Sequence, residues 1–178
     1  MKQFGIVGWK GSGKTTLVVK LLPELLRRGL KVSTLKHAHH SFDIDEPGRD
    51  SYEHRMAGAT EVMISSARRW ALMHENHNSS EAGLDELVAK MRDVDLLLVE
   101  GFKREAFDKL EVHRQSVGKP LLAPEDPNIV AIAVDKTIAD FDRPQLDIND
   151  VVRISDFIVE RCALPTRQLR QPLAEPQA

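Results

Sequence analysis

Apolar residues along the chain fall into short runs separated by polar or glycine-bearing stretches, and the spacing inside each run predicts its type. Residues 3–7 read as a short buried strand that leads into a glycine-rich turn. In the stretch TTLVVKLLPELLRRG, Leu17, Val18, Leu21, Leu22, Leu25 and Leu26 recur at helical spacing, and Gly29 stops the helix. Pro23 deletes one backbone hydrogen bond to Val19, which predicts a kink or a local loosening. Residues 31–36 read as a second strand, with Val32 and Leu35 as its apolar contacts, and it empties into the polar loop HAHHSFDIDEPGRD. A short helix over 51–57, ended by Gly58, precedes two strands at 61–65 and 68–75 whose junction at Ser66 and Ala67 suits a hairpin. Helical spacing returns over 84–91. The most emphatic strand is 95–100, where four consecutive apolar residues between two acids suit burial on both faces. Further strands are predicted at 110–114 and 130–135, and a last helix at 150–162.

Strands alternating with helices predict an α/β fold with a mainly parallel sheet flanked by helices, in the manner of P-loop NTPases. The hairpin and the 110–114 strand are expected to add some antiparallel strands. The length of 178 residues suits one nucleotide-binding domain over 1–162, followed by a mobile tail over 163–178 that holds Pro165, Pro172 and Pro176 among polar residues. In such sheets ligands bind beyond the carboxyl ends of the strands.

Composition narrows the function classes. With 25 Lys and Arg against 27 Asp and Glu the formal net charge is −2, so bulk attraction to nucleic acid or lipid is not expected. The aromatic residues, 6 Phe, 2 Trp and 1 Tyr, are too few for a single-strand stacking platform. Cys162 is the only cysteine, which suits a reducing compartment, and no apolar run approaches a membrane span. These points together predict a cytoplasmic protein.

The residues Gly8, Trp9, Lys10, Gly11, Ser12, Gly13, Lys14 and Thr15 fit GxxxxGK[ST], the phosphate-binding loop of NTPases, and Thr16 continues into the helix. A chance match in a chain of this length has a probability of roughly half a percent at average composition. Its setting between a strand and a helix is the one the chemistry needs. Glycines let successive amides point inward, the helix presents its positive end, Lys14 can bridge phosphate oxygens and the Thr15 hydroxyl can ligate Mg2+. The second metal-linked acid is expected at the end of a buried neighbouring strand, and Glu100 fills that slot, for metal contact or for positioning the attacking water. Gly101 follows and can bring its amide near the γ-phosphate.

Lys36, His37, His39, His40 and Arg49 populate the long polar loop, which reads as a contact for the nucleotide and an anionic second ligand; a metal site built on His37 and His39 is the alternative. An NKxD guanine reader is absent, and Asp135 is the nearest substitute. Lys103 and Arg104 are further candidates for contact with an anionic substrate.

Several motifs together carry a family resemblance. GWKGSGKTTL, KHAHH, the DxDxPGxDSYxxRxAGA pattern from Asp43 to Ala59, RWALM from Arg69 to Met73 and VEGFK from Val99 to Lys103 resemble the molybdopterin-guanine dinucleotide biosynthesis protein B family, over nearly the whole chain to about residue 162. The resemblance implies a homodimeric GTP-binding adaptor with weak GTPase activity, which assists the guanylyltransferase that attaches GMP to molybdenum cofactor. GTP and Mg2+ are the implied ligands, with molybdopterin as the second. Trp9 stands where related dimeric ATPases carry a lysine, a departure that speaks against their trans-acting lysine mechanism. Two other classes share the phosphate loop: a small-molecule kinase, for which Arg68 and Arg69 would have to serve a lid, and a nucleotide-dependent metal chaperone using the histidines.

Overall fold

The computed structural model describes residues 1–38, 42–77 and 80–165. His39 and His40 and most of the predicted tail lie outside these residues. The chain divides into two compact units, Met1–His37 with Arg92–Ala178, and Ala38–Met91. The first contains β1 (Lys2–Val7), α1 (Lys14–Arg27), β2 (Val32–Lys36), β5 (Leu96–Glu100), β6 (Lys109–His113), β7 (Ile129–Val134), β8 (Gln145–Asp147) and α4 (Val151–Arg161). The second contains α2 (Asp50–Met56), β3 (Glu61–Ser65), β4 (Trp70–His74) and α3 (Leu84–Ala89).

The first unit is a six-stranded sheet in the order β2-β5-β1-β6-β7-β8, and every strand pair in it is parallel. β5 is buried along its whole length, as its apolar run requires. β6 corrects the expectation for residues 110–114: it runs parallel to both neighbours. Its apolar pattern specifies burial and carries no direction, whereas the irregular connection over 101–108 returns the chain to the amino-terminal edge before β6 begins. Among the described residues, antiparallel pairing is confined to the second unit.

Burial is nearly continuous along the central strands, and successive side chains divide between the two faces with the period of two that sheets impose. Phe4 and Ile6 of β1, Leu96 and Leu98 of β5, and Leu110 and Val112 of β6 meet Leu17, Leu21 and Leu25 of α1 and Ile154 and Ile158 of α4 in one apolar cluster. Each such side chain contributes about 1.5–3 kcal/mol by leaving water. α1 continues through Pro23, which lies with Val19 on the exposed side, so the carbonyl released by the missing donor is on the solvent face.

The opposite face carries two buried charges. Lys109 is fully buried, and its ammonium donates to the carbonyls of Lys103 (2.9 Å) and Glu105 (2.7 Å) and pairs with Asp126 at 2.6 Å. Burial opposes the Asp126 charge, yet Lys109 and Asn128 outweigh it and hold its carboxyl below the usual range. Glu111, also fully buried, accepts hydrogen bonds from the amides of Leu122 and Ala123, the latter at 2.8 Å. Burial pushes its carboxyl up, against the pull of those amides. Together the two residues clamp the loops on either side of a 450 Å³ cleft lined by Val7, Lys103, Arg104, Leu122, Glu125, Asp126 and Ile129.

In the second unit β3 and β4 form the predicted hairpin, with Val62 opposite Met73 and both buried. Arg55 of α2 is held by Asp43 and Asp45, each at 2.9 Å, and by Glu75 at 3.5 Å. These contacts fold the loop before α2 onto the hairpin.

Glu111→Ala strips the acceptor from two buried amides and is expected to destabilise the protein by about 2–4 kcal/mol. Urea unfolding should show a lowered midpoint at unchanged slope.

Candidate functional site

The loop after β1 turns at once. Gly8 has φ +143°, and a Cβ there would lie 2.4 Å from the Val112 carbonyl oxygen, so this position admits only glycine. The loop ends at Gly13, the N-cap of α1, which contributes no side-chain cap. Leu17 is the first residue whose amide returns to Gly13 within the helix, at 2.9 Å, which leaves the amides of Lys14, Thr15 and Thr16 without intrahelical acceptors. The positive end of a 14-residue helix therefore opens onto the loop.

Four side chains converge beside it. The Lys14 ammonium donates to the loop's own Trp9 carbonyl at 2.9 Å. Thr15 Oγ1 donates to Glu100 Oε1 at 2.7 Å, and the Lys36 ammonium lies 3.3 Å from that hydroxyl and 3.4 Å from that carboxylate oxygen. Burial lowers the Lys14 ammonium below its usual 10.5; Glu100 counteracts this, and the charges of Lys103 and Lys36 add to it. Lys36 and Lys103 are thus each close enough to repel the Lys14 ammonium, an arrangement that favours a polyanion. Ser12 Oγ in the same loop is buried without a hydrogen-bond partner.

β2 and β5 lie in register with Lys36 opposite Glu100, and the His37 amide donates to the Glu100 carbonyl at 2.9 Å. The His37 ring stacks on Phe102 at 4.7 Å. Gly101, at φ +96°, has room for no side chain, because a Cβ would fall 2.9 Å from that of His37. Its amide, expected to face a phosphate, donates to the Ile6 carbonyl at 3.2 Å.

Trp9 is anchored by its indole N–H to the Pro120 carbonyl at 2.7 Å, with the Lys103 ammonium 4.5 Å from the ring centroid and that of Lys119 at 6.0 Å. Lys10, Gly11 and Thr16 are exposed. Asp135 follows β7, is exposed, and accepts from the Gln115 amide at 3.2 Å. Arg114 escaped the reading of the sequence. Its Nε donates to the Ser12 carbonyl at 3.1 Å and its Nη1 lies 3.9 Å from Asp135 Oδ2, so it links the phosphate loop to the segment expected to meet the base. The available signal was its place at the carboxyl end of β6. Arg49 belongs to the second unit, where it is exposed and pairs with Glu46 at 3.7 Å.

The oxygen donors present fit a magnesium ion. A hydroxyl and a carboxylate converge at the end of β5, and Mg2+ commonly completes its shell with water and phosphate oxygens. The open helix end and the lysines fit the phosphates.

A family model described as "Molybdopterin guanine dinucleotide synthesis protein B" matches residues 3–135. The chain belongs to the MobB family. Among its relatives are the molybdopterin-guanine dinucleotide biosynthesis adapter proteins of Escherichia coli (strain K12), 44% identical over 155 residues covering 85% of this chain and 88% of that one, and of Haemophilus influenzae (strain ATCC 51907 / DSM 11121 / KW20 / Rd), 43% identical over 157 residues covering 86% and 85%. A crystal structure of molybdopterin-guanine biosynthesis protein B superposes with a TM-score of 0.68 at 27% identity, covering 89% of this chain and 99% of that chain. Bacillus subtilis MobB shares the fold, with a TM-score of 0.70 at 24% identity over 91% and 98% of the two chains.

Within this MobB site, Gly101→Ala tests the close approach of β2 and β5. Forcing a Cβ into positive φ against His37 is expected to cost about 1–3 kcal/mol. A melting temperature several degrees below wild type would register it.

Proposed function

We propose that the chain is a GTP-binding adaptor of molybdenum-cofactor biosynthesis, which binds GTP with Mg2+, hydrolyses it slowly and assists the guanylyltransferase that builds the guanine dinucleotide form of the cofactor. The observation that carries the nucleotide part is the convergence of Lys14, Thr15, Lys36 and Glu100 at the open end of α1. The adaptor part draws on the names of the relatives.

In this reading the amides of residues 11–16 and the Lys14 ammonium cradle the phosphates, with Gly8, Trp9 and Lys10 shaping the entry to the loop. Thr15 and Glu100 hold the metal, directly or through water, and a bound magnesium ion would neutralise charge on the phosphates. With one Glu100 oxygen beside the Thr15 hydroxyl on the metal side, the other is left to orient water; a single carboxylate divided between these tasks accords with slow turnover. Asp135 is the candidate reader of the guanine donors. Gly101 serves the site by keeping Glu100 and His37 close.

Molybdopterin is proposed as the second ligand. The second unit supports a homodimer. Met63 and Leu72 face each other on the same side of the hairpin as Trp70, all three well exposed, and Phe42, Ile44, Met56 and Ile64 add to the exposed apolar side chains of this unit. A surface of that kind favours cover by a second copy. No helix among the described residues is long and apolar enough to cross a membrane, and a cytoplasmic site of action is proposed.

Lys14→Ala should abolish GTP binding in calorimetry while the fold is kept, since Lys14 is no part of the apolar cluster. Unchanged affinity in a folded variant would refute the phosphate-loop reading. pH gives an independent check. Phosphate contact favours the charged lysine, so the bound form holds its proton to higher pH than the free form, whose value is already lowered. GTP affinity should therefore fall as pH rises through the free-state value, beginning below 10.5. A flat profile up to pH 10.5 would count against Lys14 as the phosphate contact.

A further inference from the structure

Thr15 and Glu100 are the proposed metal pair, yet a cation of the protein's own already lies against them. The Lys36 ammonium is 3.3 Å from Thr15 Oγ1 and 3.4 Å from Glu100 Oε1, and those two oxygens are 2.7 Å apart. Lys36 is the last residue of β2 and sits in register opposite Glu100, so its backbone is fixed by the sheet. Its side chain is 57% exposed and free to turn into solvent.

We infer that Lys36 is a built-in placeholder for the magnesium ion: it holds Thr15 and Glu100 together before the metal arrives, and it must leave them when the metal binds. The inference rests on the reading of the phosphate loop as a magnesium–nucleotide site. Mg2+ takes its oxygens at about 2.0–2.1 Å. An ion sharing Glu100 Oε1 would approach an ammonium on the same oxygen, in a place where Lys14 and Lys103 already add positive charge. Like charges at that distance repel, and the exposed lysine is the one able to move. Phosphate oxygens arriving with the ion give the displaced ammonium a new anion. Metal and lysine therefore compete, and Lys36 sets the magnesium concentration at which the nucleotide complex is completed. A lysine that merely added charge for the phosphates would act on GTP affinity without altering the magnesium requirement.

The test is a titration of Mg2+ into the full chain with a fluorescent GTP analogue, reading the half-saturating Mg2+ concentration and not turnover. In K36Q that concentration should fall about fivefold, the lower end of the usual coupling between two sites because the competing side chain is solvated. K36R, which keeps the charge, should stay near wild type. In the wild-type chain with 13C-methylated lysines, the Lys36 resonance, assigned by its loss in K36R, should shift when Mg2+ is added to the GTP complex prepared in EDTA. An unchanged or raised magnesium requirement in K36Q that still binds GTP overturns the inference, as does a Lys36 resonance indifferent to Mg2+. Failure of the wild-type chain to bind GTP at any Mg2+ concentration overturns the nucleotide reading itself, and this one with it.

Discussion

A carboxylate at the end of a buried strand has to be compensated, and in the first unit the groups that compensate Glu100 also fix the neighbouring elements. Glu100 is 8% exposed. Its side chain takes the Thr15 hydroxyl from the start of α1 and the Lys36 ammonium from the end of β2, and its carbonyl takes the His37 amide. β1 lies beside it with Ile6 in register, which brings the turn at Gly8 to the same end of the sheet. Leaving a buried carboxylate unpaired costs several kcal/mol, so the three elements are held to one arrangement by a requirement and not by shape alone.

The two faces of the sheet solve the burial problem differently. Against α1 and α4 the filling is largely apolar, with the buried Ser155 of α4 an exception, and the helices need little beyond the right periodicity to settle there. The other face admits Lys109 and Glu111, and each is satisfied largely by backbone groups from irregular segments. Loops that lack a regular hydrogen-bond ladder are thereby given defined positions, with Pro120 brought to the Trp9 indole. Charge placed inside the protein acts here as a means of fixing loops.

Much of this arrangement was legible in the chain, and the parts that were not have physical reasons. β5 and the hairpin strands stand where their apolar runs put them, because a short apolar run bounded by polar residues is a property of the sequence. β6 was legible as a strand but not in its direction, which depends on where an irregular connection delivers the chain. β8 offers only Leu146 between two polar residues, too little to show a period. The glycine-rich loop after β1 was readable as a motif because its residues are contiguous, and the place of Glu100 beside Thr15 because it ends the most apolar strand. Arg114 was missed because its partners Ser12 and Asp135 are distant in the chain, and only strand order makes them neighbours.

Trp9 has a consequence of an optical kind. Indole emission responds to nearby charge, to hydrogen bonding at its nitrogen and to water, and Trp9 has an ammonium over the ring, a carbonyl on the N–H and partial shelter within the loop itself. The chain's other tryptophan, Trp70, is 56% exposed and belongs to the second unit. Each unit thus carries one tryptophan in a different dielectric setting, and a chain with Trp70 replaced by Phe retains a single indole, located in the loop after β1, able to report events there without any attached dye.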